Sequence, residues 1–334
     1  MFYISIQGEK NGRIVYYIGM KIKLRSKKMR ISRLLKLSTV TLVLFLSFCL
    51  VNLYSADKEK KEVNKVFKAK EIVKLNIVSG DCTIKKGNPG EIKVHLIYDY
   101  PADKFTPEFL EEGNVLVLKE KFAQHTGSIS GKSSWDLTVP ENTRIDFKAA
   151  SGDFHMEGVK NDTSITVASG DITLVGFKGK LEVKSASGDI DMKGSEGELK
   201  IKSASGDIKF ENVKGAFEVK SASGNIEGSA IEFTGAGLME AVSGDIDIKL
   251  AKTLMVDMKF ATVSGDIELS YNGNPIKGSF EFHGMSKHFT GPFAEENREE
   301  GDGHSPFGKW SYSKGGEAPR ILFKTVSGSV RIKE

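Results

Sequence analysis

From about residue 72 onward, apolar and polar residues alternate in runs too short for helices. In Ser169 to Ala186 the first run is Ile172 and Leu174, set among Asp171 and Thr173. The second is Leu181 and Val183, separated by Glu182 and flanked by Lys180 and Lys184. A period of two marks strands that bury one face. Gly176-Phe177-Lys178-Gly179 lies between the runs and reads as a turn by composition. The next copies repeat the plan with Ile190, Met192, Leu199 and Ile201, then with Ile208, Phe210, Phe217 and Val219. Each copy is joined to the next by Ser-Gly-Asp. The tripeptide starts at Ser79, Ser151, Ser169, Ser187, Ser205, Ser243 and Ser264, with Ser-Gly-Asn at Ser223 and Ser-Gly-Ser at Ser327. The spacing is 18 residues from Ser151 to Ser223 and then 20 and 21, while Ser79 to Ser151 is 72, or four periods.

A fixed period of this size is the signature of a solenoid. The pattern predicts an all-β fold: a single elongated β-solenoid, or β-helix, of 18–21-residue coils with Ser-Gly-Asp corners. One coil cannot bury its apolar face alone, and stacked coils share a continuous core. The corner residues are Gly80 and Asp81, Gly152 and Asp153, Gly170 and Asp171, Gly188 and Asp189, Gly206 and Asp207, Gly224 and Asn225, Gly244 and Asp245, Gly265 and Asp266, and Gly328. Glycine takes φ > 0 without steric cost. Asp, Asn and Ser hold turns by bonding nearby backbone groups. Eighteen residues are also three hexapeptides, which suits a three-sided left-handed helix. No strong six-residue apolar repeat is present, so handedness and cross-section stay open.

The ends differ from the middle. Arg30, Arg33 and Lys36 precede an apolar run from Leu37 to Val51, and Asp57-Lys58-Glu59-Lys60-Lys61 follows. This order reads as a signal peptide, or as an uncleaved hydrophobic helix that anchors the chain to a membrane. Met29 would open a conventional signal peptide by itself, and residues 1–28 hold no convincing fold pattern. Residues 1–56 are thus expected as extension and leader, 57–70 as a charged linker and 71–334 as the solenoid. Within the solenoid, Pro101 to Gly113 reads as a loop of an irregular capping region. Residues 271–319 interrupt the period with an aromatic-rich insertion. Of its aromatics, Phe289, Phe293, Phe307, Trp310 and Tyr312 form the candidate interaction surface. The favoured reading is a flap over the open end or side of the solenoid, since exposed aromatic clusters are unusual without a partner.

Charge changes meaning once the leader is set aside. Residues 1–56 carry ten Lys/Arg and one acid, Glu9, so the chain's 48 basic and 44 acidic residues leave 38 and 43 for the remainder. The basic excess is no argument for nucleic-acid binding, which wants a basic folded surface. There are two cysteines. Cys49 reads as one more apolar leader residue. Cys82 holds the slot that Phe154 and Ile172 fill in other copies, so it reads as a buried structural thiol.

Trp135-Asp136-Leu137-Thr138-Val139-Pro140, then Ile145 and Phe147, the serial Ser-Gly-Asp-Ile corners and the ending Thr325-Val326-Ser327-Gly328-Ser329-Val330 together resemble a known bacterial family. The chain is similar to the putative-adhesin β-strand-repeat family, a domain of unknown function in exported and membrane-anchored proteins. The resemblance covers roughly residues 72–334 by the repeat criterion. It implies the fold and supplies no site residues.

The aspartates of successive corners would stack. Like charges about 5 Å apart repel by roughly 0.8 kcal/mol even in water. Calcium would relieve this, and so would backbone N–H groups. Asn225 and Ser329 keep a polar group without the charge, which favours turn-making over metal. His95, His125, His155, His283, His288 and His304 show no zinc spacing with a third ligand. The sequence therefore predicts no catalytic constellation, no cofactor and no metal. The leading expectation is a non-enzymatic exported module in the periplasm or at the cell surface. Its partner would be an envelope or surface protein or a glycan, with membrane contact only through the N-terminal segment. An anchored sensor or scaffold of an envelope-stress system is the second class, and a carbohydrate-active β-helix enzyme the third.

Overall fold

The computed structural model describes residues 2–10, 13–20, 60–123, 130–284, 289–293 and 308–334. The chain divides into two units, Met1–Asp57 and Lys58–Glu334. In the first, strands Phe2–Lys10 and Arg13–Met20 pair antiparallel, although the sequence shows no clear pattern there. Their β-branched and aromatic content suits a strand, and their only basic residues, Lys10 and Arg13, lie at the strand ends. The apolar run expected as a helix lies outside the described residues. No helix occurs among the described residues.

In the second unit each coil contributes one strand to each of two parallel sheets. One sheet stacks Arg144–Ser151, Thr163–Ser169, Lys178–Ser187, Glu196–Ser205, Lys214–Ser223, Gly237–Ser243 and Met258–Ser264. The other stacks Phe154–Glu157, Ile172–Val175, Ile190–Lys193, Ile208–Glu211, Ile226–Phe233, Ile246–Leu250 and Ile267–Ser270. Strand Ile72–Lys86 bends through the first corner and belongs to both. Parallel strands buried on one side need their apolar residues in register. The column Ile172, Ile190, Ile208, Ile226, Ile246, Ile267 meets that need, with each residue at most 1% exposed. The inner faces meet directly, as where Phe147 of one sheet contacts Phe154 of the other at 4.3 Å between ring centres.

The second bend holds more core than its composition shows. Phe177 is buried, not a turn-surface residue, and Lys178 already begins the next strand. Val159, Ser195, Val213 and Ile231 are buried at the corresponding bends. Ser195 is tolerated there because its hydroxyl donates to the Lys193 carbonyl at 2.9 Å and accepts the Phe177 amide at 3.1 Å. At these bends a positive φ is taken by Gly158, Gly176, Gly194, Asn212 and Ala230 in turn.

Both ends are built by extra strands. At the first end Lys61–Lys68, Glu91–Tyr98 and Ser133–Val139 extend one sheet, and Phe105–Glu112 with Val115–Phe122 extend the other. The segment expected as a charged linker therefore contains a strand, because Val63 and Phe67 pack on the core between lysines. Likewise the expected loop 101–113 contains Phe105–Glu112, anchored by buried Phe105. These edges are unattractive to further strands. One carries Lys61, Lys65 and Lys68. The other carries Pro107, and also Glu111, which lies in the register of Phe109 and pairs with Lys70 at 2.8 Å.

At the first corner no regular coil precedes, and Glu120 supplies the missing acceptor. Its carboxylate, 9% exposed, accepts the amides of Val78 at 2.7 Å and Ser79 at 3.2 Å. It also accepts the Ser133 hydroxyl at 2.5 Å and the Trp135 indole N–H at 3.1 Å. Replacing Glu120 by Ala leaves these donors without their acceptor and is expected to cost about 3–5 kcal/mol. Glu120→Gln, which keeps one carbonyl oxygen, should cost less. Urea unfolding followed by Trp135 fluorescence in a Trp310→Phe background checks this, and equal losses in both variants would contradict it.

Candidate functional site

The corners are the most regular chemical feature of the molecule. Gly152, Gly170, Gly188, Gly206, Gly224, Gly244 and Gly265 all have φ between 109° and 156°. Conformation is only half of the reason for glycine. A Cβ built on Gly188 would overlap the carbonyl oxygen of Gly170, and a Cβ on Gly206 that of Gly188. Gly328 lacks the positive φ but meets the Gly265 oxygen in the same way, and Gly80 meets Ser133. Backbone thus packs on backbone from coil to coil, which leaves no room for any side chain.

Beside this contact runs a ladder of hydrogen bonds. Asp81 Oδ1 accepts the Asp153 amide at 3.1 Å, Asp153 that of Asp171 at 2.9 Å, and Asp171 that of Asp189 at 2.9 Å. The series continues through Asp189 to Asp207, Asp207 to Asn225, Asn225 to Asp245, Asp245 to Asp266 and Asp266 to Ser329, at 2.7 to 2.9 Å. Each carboxylate is therefore held by a backbone N–H of the next coil. Asn225 serves because its side-chain oxygen accepts the same bond. Ser329 is the last member of the ladder among the described residues. Three or more His, Cys, Asp or Glu side chains grouped to hold a metal do not occur among the described residues.

The outer faces are laced by ion pairs between neighbouring coils, such as Lys178–Glu196 at 3.2 Å, Lys193–Glu211 at 3.0 Å and Lys200–Glu218 at 3.2 Å. These are solvent-exposed, and each adds little stability. His95 lies between Glu62 at 3.1 Å and Asp136 at 3.7 Å. Burial, with Lys324 and Lys309 nearby, pushes the His283 imidazole below its usual range. His125, His288 and His304 lie outside the described residues. Cys82 is buried, and desolvation together with Asp136, Asp81 and Glu120 pushes its thiol well above the usual range. The described residues form several shallow grooves. One, of about 520 Å³, is lined by Lys65, Lys93, His95 and Asp136, and another, of about 300 Å³, by Asp257, Lys259, Glu281 and Arg320.

The aromatic insertion forms the far end of the solenoid. Phe280, Phe282 and Trp310 are buried, and Phe289, Phe293 and Tyr312 pack partly buried against the core. Phe282 stacks on Phe323 of the last coil at 5.0 Å, and Phe293 on Tyr312 at 5.4 Å. Four of the five candidate interaction residues thus have packing partners inside this end. Phe307 lies outside the described residues.

The Toastrack DUF4097 family model matches residues 70–288, about two thirds of the chain. The chain belongs to this family. Solved structures to which the chain is similar include a putative adhesin from Parabacteroides distasonis, 11% identical with a TM-score of 0.49, covering 83% of this chain and 98% of that chain. A putative adhesin from Bacteroides fragilis is 14% identical with a TM-score of 0.39, covering 82% and 98%. A putative lipid binding protein from Parabacteroides distasonis is 11% identical with a TM-score of 0.32, covering 83% and 98%. No curated protein matches the chain.

Two structural features of this Toastrack chain carried no local sequence signal. Glu120 is one Glu in a Lys-Glu-Lys run, and its four donors come from distant residues. The close approach of backbones at the corners is also invisible locally, although the invariance of Gly within the repeat is a trace of it. The ladder itself predicts that Asp189→Asn is nearly neutral, within about 0.5 kcal/mol, whereas Asp189→Ala loses about 1 kcal/mol. Chemical denaturation with calcium and with chelator checks this. Equal losses, or a melting point raised by calcium in the parent but not in Asp189→Asn, would contradict it.

Proposed function

We propose that this Toastrack chain is an exported, non-enzymatic interaction module whose solenoid presents a long flat edge to envelope or surface partners. The observation that carries the proposal is the outward rail beside the corners. Ala168, Ala186, Ala204 and Ala222 hold this position in successive coils and are exposed. Val242, Val263 and Val326 continue it at 51%, 49% and 48% exposure. Exposed valines one coil apart, about 4.8 Å, form a contiguous apolar strip of the kind that marks a contact surface. The serine hydroxyls of the corners run alongside and supply polar contacts. The proposal of export rests on the basic, apolar and polar order of residues 30–61. A carbohydrate-active enzyme is disfavoured by the geometry of the coil-borne corner carboxylates, each of which is engaged by the next coil's amide.

The test combines fractionation with binding. The full chain is expected in the envelope or surface fraction, and the mass of the mature protein tells cleavage from anchoring. Purified protein should bind envelope preparations, and Val242→Lys/Val263→Lys/Val326→Lys should reduce that binding several-fold with an unchanged melting temperature. Full-length protein soluble in the cytoplasm, or binding untouched by the triple change, would overturn the proposal.

A further inference from the structure

The coils between Arg144 and Ser270 stack in the order of the sequence, and the last coil does not. After Ile267–Ser270 the chain skips one level and builds Gly278–Gly284 and Phe289–Thr290, with Gly308–Lys314 antiparallel to the first of these. Only then do Arg320–Lys324 and Val330–Lys333 fill the level between. Arg320–Lys324 pairs with Met258–Ser264 on one side and Gly278–Gly284 on the other. Val330–Lys333 pairs with Ile267–Ser270 and with Phe289–Thr290. Among the described strands, the backbone pairing of the terminal cap to the body runs entirely through this coil.

The terminal coil is a complete repeat unit. Ile321, Phe323, Val330 and Ile332 are buried, Ser329 donates to Asp266, and Gly328 packs against Gly265. Its tether is short and exposed, and Gly315 and Gly316 have φ of 70° and 128°. This segment is made after the two surfaces that flank it and must therefore enter between them. While that slot is open, the terminal coil of another copy fits it with the same contacts, because the coil surfaces repeat. Exchange of an identical element costs little beyond association itself.

We propose that Arg320–Lys333 is an exchangeable coil through which two copies of this chain associate, each completing the other's solenoid. Ser264 and Ser327 pair across the slot and are both exposed, so they report its occupant. Proteins carrying Ser264→Cys or Ser327→Cys alone, in a Cys49→Ser background, are mixed, unfolded together, refolded and treated with a short bis-maleimide. Buried Cys82 is controlled by the parent background. Exchange predicts a cross-linked dimer that needs both variants and increases several-fold at high over low refolding concentration. In the double variant refolded dilute, the link should form within one chain. The proposal is overturned if the double variant links within one chain while the mixed single variants give no dimer at any concentration. It is overturned equally if one single variant alone dimerises to the same extent, since that needs no coil in the slot.

Discussion

The structure depends on one contact: the backbone of each corner glycine lying against the backbone of the corner before it. That contact sets the coil spacing at the point where the chain turns most sharply. It leaves no volume for a Cβ, and it brings an aspartate of one coil within reach of the next coil's amide. The strand ladders on either side then continue at the same spacing, and the apolar columns fall into register. A shift of one residue would turn each inward Ile outward, so the corner also protects the core against slippage.

A repeat stabilised by its neighbours has a problem at its ends. This chain meets it twice with different chemistry. At the first end a buried carboxylate, Glu120, takes the acceptor role that an adjoining coil would fill, and antiparallel strands carrying Lys, Pro and the Lys70–Glu111 ion pair close the edges. At the far end an aromatic cap covers the core, joined to the body by a coil that arrives out of sequence order. The two tryptophans, Trp135 and Trp310, sit one in each of these end structures. The regular coils between them carry none, which makes the ends separately observable.

The regular part was legible because its two signals agree: period-two alternation gives the strands, and the invariant corner gives the stack. Position Cys82 could be read as inward from its register alone, as could Ile321 and Phe323. Legibility fell where a residue's role is set by partners far along the chain. Phe177 looks like part of a glycine turn, yet it fills the core because the bend is wide enough to hold one inward side chain. Val63 and Phe67 are masked by lysines that are appropriate for an edge strand. The order of the last coils has no local signature, since the terminal coil satisfies the same repeat wherever it stacks. For Phe289, Phe293, Trp310 and Tyr312 the cap is the favoured reading of the sequence only because exposed aromatic clusters are unusual without a partner; composition does not say which face of a loop meets the core.

The central claim, that close backbone stacking and not φ alone dictates the corner, is tested most directly within one coil. Gly188 and Gly194 both have positive φ, 117° and 56°. An added Cβ overlaps the Gly170 oxygen at Gly188 and meets nothing within 4 Å at Gly194. The measurement is the unfolding free energy of Gly188→Ala and Gly194→Ala by urea denaturation. The account predicts a loss of about 1 kcal/mol at Gly194 and about 3 kcal/mol or more at Gly188. Equal losses at the two positions would contradict it.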